Sequence, residues 1–246
     1  MHRLPALLAA PAVLAAAVTV TGCAGGDRTE PEPPTGGTTL VLRLSELPGL
    51  LPPGGAAALA PRYSLFGDGR LISAPTAAGG WPQLREDTVS ADDVRELFRT
   101  AAALPDGPAA GTPDGPVVQV VVGAAGGRRT VTLARDDAAA TRLRADLARH
   151  AGGPPTPYDP TVVAIVATPA DPAEPARPWP LPTLAGEPLD GTSAGSTCLV
   201  LRGADLDTAR RAVGPADAAA RWRSAGRVWQ VAPRPLLPDE TGCADL

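Results

Sequence analysis

The sequence contains no lysine and no asparagine, so all 22 of its basic side chains are arginine. Aromatic residues are scarce too, with four Trp, two Tyr and two Phe in 246 residues. Any core must therefore be assembled mainly from Leu, Val and Ala. Only two histidines occur, His2 and His150, and a Ser-His-Asp site in the body of the chain would have to use His150. That residue ends a helical pattern, where a cation complements the helix dipole, so it has a structural place. With Cys198 and Cys243 expected to pair with each other, this one histidine leaves too few ligands to close a zinc site, and no calcium loop of the D-x-[DN]-x-[DN]-G kind is present. No metal and no cofactor is expected. Basic excess is also missing: 22 arginines face 26 acids for a formal charge of −4, which excludes the basic stripe of a nucleic-acid binder.

A long unbroken apolar run is absent as well. The stretch Leu4–Val20 has no acid or base, but it is shorter than the about 20 residues of a spanning helix. Pro5 and Pro11 interrupt it, each costing a helix interior roughly 3 kcal/mol. Placed after Arg3, it has the layout of a secretory signal, expected over residues 1–22. The signal ends in Val20-Thr21-Gly22-Cys23, which resembles the lipobox of bacterial lipoproteins, with Val20 where leucine is usual. The resemblance implies that the Cys23 thiol receives a diacylglyceryl group with palmitate-type chains, and that Cys23 becomes the first residue of the mature protein. Residues 23–37 carry no Leu, Ile, Val, Met or aromatic side chain and read as a flexible tether. Two acyl chains on one cysteine anchor stably where one would be marginal. The membrane is thus an expected partner, and the extracytoplasmic face of the cell membrane the expected location. The missing Lys and Asn, with abundant Ala, Gly and Pro, resemble proteins of high-GC, actinobacterial-type genomes. Arginine is then the outcome of codon usage and no evidence of a ligand.

If Cys23 is the anchor, Cys198 and Cys243 remain as an even pair outside the reducing cytoplasm, and a disulfide between them is expected. It would tie the extreme C-terminus to the body of the chain.

The rest of the chain predicts an α+β fold: a mostly antiparallel sheet with helices on one face over 38–150, a linker at 151–160, and a smaller disulfide-pinned C-terminal α/β lobe over 161–246. Residues 38–47 alternate as a strand, and 62–73 form a hairpin around Gly67-Asp68-Gly69. Ser90 with Asp93 caps a helix whose Val94, Leu97, Phe98 and Ala101 share one face. Residues 116–134 form a second hairpin, and Asp136-Asp137 open a second helix with Ala139, Leu143 and Leu147 inward. Residues 161–167 form one buried strand, and 168–196, with seven prolines, an ordered but irregular loop or a flexible one. A strand, a helix over Asp205–Val213, a final strand and a proline-fixed tail follow. The motif Tyr63, Leu65, Gly67, Asp68, Gly69 resembles a family of bacterial domains without assigned activity. The run from Trp222 to Trp229, with the later Arg-Pro-Leu-Leu-Pro-Asp-Glu, resembles a pattern of uncharacterised actinobacterial lipoproteins.

Candidate chemistry is thin. Gly191-Thr192-Ser193-Ala194-Gly195 fits G-x-S-x-G, but it lacks a preceding strand and has no later histidine, so it reads as a small-residue loop. Two of the acidic doublets, Asp92-Asp93 and Asp136-Asp137, lie where helices begin and are read as caps. Arg221, Arg223 and Arg227, interleaved with Trp222 and Trp229, form the candidate binding surface through cation-π contacts. The expectation is a non-catalytic, lipid-anchored protein binding an envelope polymer or a membrane partner protein. Two further readings stay open. One is an envelope hydrolase using Asp68 and Asp239, which requires a carboxyl group with a raised pKa. The other is a structural or sensory lipoprotein.

Overall fold

Val118, Val120 and Val122 alternate along one face of a strand, and Val131 and Leu133 stand beside them on its hairpin partner. This two-residue period is the seed of the first sheet. The computed structural model describes residues 31–51, 55–75, 80–105, 114–124, 126–154, 156–189, 195–214 and 219–246. The first half of the chain contributes β1 (Gly36–Leu47), α1 (Gly55–Ala58), β2 (Tyr63–Gly67), β3 (Arg70–Ser73), β4 (Leu84–Thr88), α2 (Ala91–Ala102), β5 (Val117–Ala124), β6 (Gly127–Ala134), α3 (Ala138–His150) and β7 (Thr156–Tyr158). Its seven strands form one antiparallel sheet in the order β6-β5-β1-β2-β3-β4-β7.

Helices α2 and α3 cover one face of this sheet, because each presents a single apolar stripe. Val94, Leu97, Phe98 and Ala101 of α2 and Ala140, Leu143 and Leu147 of α3 join Leu42, Leu44, Leu65 and Leu71 in one core. The expected caps are formed. The Ser90 hydroxyl accepts from the Asp93 amide at 3.2 Å, and the Asp137 carboxylate accepts from the amides of Ala139 and Ala140 at 2.8 and 3.1 Å. Arg129 donates to the carbonyls of Ala101, Ala102 and Leu104, filling the end of α2. At the β2–β3 turn Gly69 has φ +87°, and a side chain there would meet the Val89 carbonyl at 2.5 Å.

The second half contributes β8 (Val162–Pro169), β9 (Ala176–Pro178), β10 (Glu187–Pro188), β11 (Thr197–Arg202), α4 (Gly203–Val213), β12 (Arg221–Ser224) and β13 (Arg227–Pro235). These strands form a second sheet, β10-β11-β8-β13-β12-β9, antiparallel except where β9 runs parallel to β12. Leu206, Ala209 and Val213 of α4 pack on Val163, Ile165 and Val231. The architecture is α+β, as expected, and Pro31–Leu246 is one compact unit.

Two expectations are corrected. Residues 151–160, read as a linker, instead supply β7, which pairs with β4 because Tyr158 packs with Leu84 and Leu237. The proline-rich stretch 168–196 is not merely a loop: it provides β9 and β10 and sinks Trp179 and Leu184 into the second core. The Trp179 indole donates to the Thr183 carbonyl at 3.1 Å and meets Trp222 edge to face, with ring centroids 5.5 Å apart.

Cys198 on β11 and Cys243 in the tail form a disulfide across a separation of 45 residues. By chain entropy a closed loop of that length is worth about 4 kcal/mol. A Cys198→Ala, Cys243→Ala double variant is expected to lose about that much in urea denaturation. An unchanged midpoint would show that the tail is held without the bridge.

Candidate functional site

The densest set of charged side chains in the interior lies where the two sheets meet. On β1, Arg43 is in register with Ser64 and Val121, on the face opposite α2 and α3. On β13, Arg234 stands opposite Ala164, on the face of the second sheet that carries the disulfide. Between these faces runs the tail Arg234-Pro235-Leu236-Leu237-Pro238-Asp239-Glu240. Leu236 packs with Ala164 and Cys198 of the second sheet, whereas Leu237 packs with Leu40, Phe66, Ile72 and Leu84 of the first. Consecutive residues of an extended segment point to opposite sides, so the tail is a wedge with one leucine in each sheet.

Glu240 closes the wedge. One carboxylate oxygen accepts from Arg43 Nη1 at 2.9 Å and Arg234 Nη2 at 2.8 Å. The other accepts from Arg234 Nη1 at 3.1 Å and the Leu237 amide at 2.8 Å. Arg234 thus grips Glu240 with both ends of its guanidinium, while its Nε donates to the Leu59 carbonyl at 3.1 Å. Asp239 is bound by Arg43 Nη2 at 2.7 Å and Arg128 Nη2 at 2.9 Å. The Asp239 and Glu240 side chains are 2% and 1% exposed, so these pairs act in a poorly solvated place. Removing such ions from water costs several kcal/mol each, an expense met only when nearly every lone pair and N–H has a partner. Here they do.

Protonation follows the same geometry. Burial raises the Asp239 carboxyl above its ordinary 3.8, and Glu240 pushes the same way, while Arg43 and Arg128 pull against them. Burial lowers Arg234 from its ordinary value against the pull of Glu240, and it stays a cation. Burial also raises the Tyr158 phenol, with Arg70 opposing. At Asp68 burial works against ionisation, but the Arg70 amide, hydrogen bond and charge outweigh it and leave the carboxyl below 3.8.

No family model, curated protein or solved structure matches this chain. What it does must be read from the side chains.

Cys198 and Cys243 are bonded to each other, whereas Cys23 and residues 191–194 of the G-x-S-x-G stretch lie outside the described residues. The aromatic platform is corrected. Trp222 and Trp229 face each other across β12 and β13 and are 4% and 3% exposed, buried against α4 and Trp179. In a chain with four tryptophans the core claims these two, because burying an indole removes more apolar area from water than any other choice. The arginines around them stay at the surface. Arg223 and Arg227 are exposed, Arg227 lies 5.0 Å over the Trp229 ring, and Arg221 is paired with Glu174 at 2.7 Å. Asp68 moves opposite to the shift a hydrolase acid needs, and Asp239 shifts in the required direction but has an arginine on each oxygen. His150 is the last residue of α3. Among the described residues no cluster of His, Cys, Asp or Glu could hold a metal ion.

The sequence shows the Arg-Pro-Leu-Leu-Pro-Asp-Glu run and its acid Asp239, but not the ionic wedge that they form. Its signal was a tail in which arginine, two leucines and two acids are spaced by prolines, and its partner Arg43, 196 residues from Asp239, has no local mark.

Glu240→Gln leaves two buried arginines short of charge and is expected to destabilise by about 3–5 kcal/mol in chemical denaturation. Asp68→Asn, at a surface pair, is expected to cost about 1 kcal/mol or less. For Asp239 the folded pKa exceeds the unfolded one, so its contribution is full below 3.8 and is lost as pH rises through the raised value. Asp239→Asn is therefore expected to gain on the parent as pH rises across that window, measured by denaturation at a series of pH values.

Proposed function

We propose that this chain is a lipid-anchored extracytoplasmic protein without catalytic activity, whose folded body binds an envelope polymer or a membrane partner protein. The Cys198–Cys243 disulfide carries this reading. Bridged cysteines belong to oxidising compartments, and pairing these two leaves Cys23 as the odd thiol, directly after an apolar stretch and directly before a polar tether. No described helix is long and apolar enough to cross a membrane, so within the described residues nothing duplicates the anchor assigned to Cys23. The non-catalytic part is supported by the way Asp239 and Glu240 spend their oxygens on arginines, which leaves neither free to take a proton from a substrate.

The test is the Cys23→Ser variant, followed by detergent-phase partitioning and intact mass. The parent is expected in the detergent phase with an acylated first residue at Cys23. The variant is expected to lose the acyl mass and to leave the detergent phase. A variant that still partitions with the parent, or a parent whose mature first residue is not an acylated Cys23, overturns the proposal.

A further inference from the structure

The two sheets have four edges, and three are closed to further pairing in the same way. Strand β7 has three residues with Pro157 at its centre, β9 has three ending in Pro178, and β10 has two ending in Pro188. Short strands and proline deny a neighbouring chain its ladder of hydrogen bonds. Strand β6 is different. It has eight residues, Gly127–Ala134, with no proline and an unbroken register against β5. Among the described residues nothing pairs with its outer side.

The exposed groups can be identified. The Arg135 amide donates to the Pro116 carbonyl at 3.2 Å, so odd-numbered backbone groups turn toward β5. By alternation, the N–H and C=O groups of Arg128, Thr130, Thr132 and Ala134 turn outward. Charge would normally guard such an edge, but both candidate guards are folded back into their own chain. Arg128 is held by Asp239 at 2.9 Å, and Arg129 by the carbonyls at the end of α2.

We infer that β6 is an interaction edge and that its occupant is β6 of a second copy, antiparallel, joining two sheets into one. The strand is complementary to itself. Centred on Val131, the pairing sets Thr130 opposite Thr132 and Arg128 opposite Ala134, so outward groups meet outward groups and no like charges face each other. Threonine pairs of this kind favour strand association. One strand pair is smaller than the roughly 1,200–2,000 Å² of a standard interface, so the dimer is weak and concentration-dependent.

The register supplies the test. Differently tagged full-length Thr130→Cys and Thr132→Cys variants are produced together and treated with a mild oxidant. A disulfide-linked heterodimer is expected in the mixture, with a several-fold loss when either variant is alone. Adding Thr132→Pro to the Thr130→Cys chain removes an outward amide while sparing the β5 ladder. It is expected to abolish the cross-link at an unchanged thermal midpoint. Equal cross-linking in single and mixed samples, none in the mixture, or a link only to a different protein overturns the inference. So does a cross-link that survives the proline in a chain whose midpoint is unchanged.

Discussion

Glu240 is held by an arginine from each of two sheets, and the relation of those sheets depends on it. Its carboxylate lies where Arg43 of the first and Arg234 of the second converge, beside an amide of its own tail. A hydrophobic seam alone would let two sheets slide, because apolar contact has little directionality. Charged hydrogen bonds with both oxygens occupied set position and angle together. Leu236 and Leu237 then pack one to each side, and the Cys198–Cys243 bridge follows three residues beyond the carboxylate. The last stretch of the chain, which reads as a tail, joins the halves.

The same constraint explains why the acids here are poor candidates for catalysis. A catalytic carboxyl needs a shifted pKa together with access to a substrate proton. Asp239 has the shift, but its oxygens are committed to Arg43 and Arg128, and its side chain is almost wholly buried. Such a group orders the structure.

Local patterns proved legible where a rule acts within a few residues. Ser90 and Asp137 cap the helices they were expected to cap, the hairpins at Gly67–Gly69 and over 116–134 form, and the two late cysteines pair. Trp222 and Trp229 were harder to place, because interleaving with arginine is compatible with an exposed platform or with a strand whose alternate residues are buried. Burial of that strand by α4 decided between them. β7 has no local signature, because three residues including a proline have no periodicity of their own; they become a strand only because β4 offers an edge.

The class of fold, the helix caps and the parity of the cysteines follow from spacing along the chain alone. That Arg43 meets Asp239 and Glu240 from 196 and 197 positions away, that two tryptophans are core, and that among the described residues nothing pairs with the outer side of β6 follow only from the folded chain. Those outcomes depend on which faces and edges the folded sheets turn toward one another, and no local interaction energy encodes them.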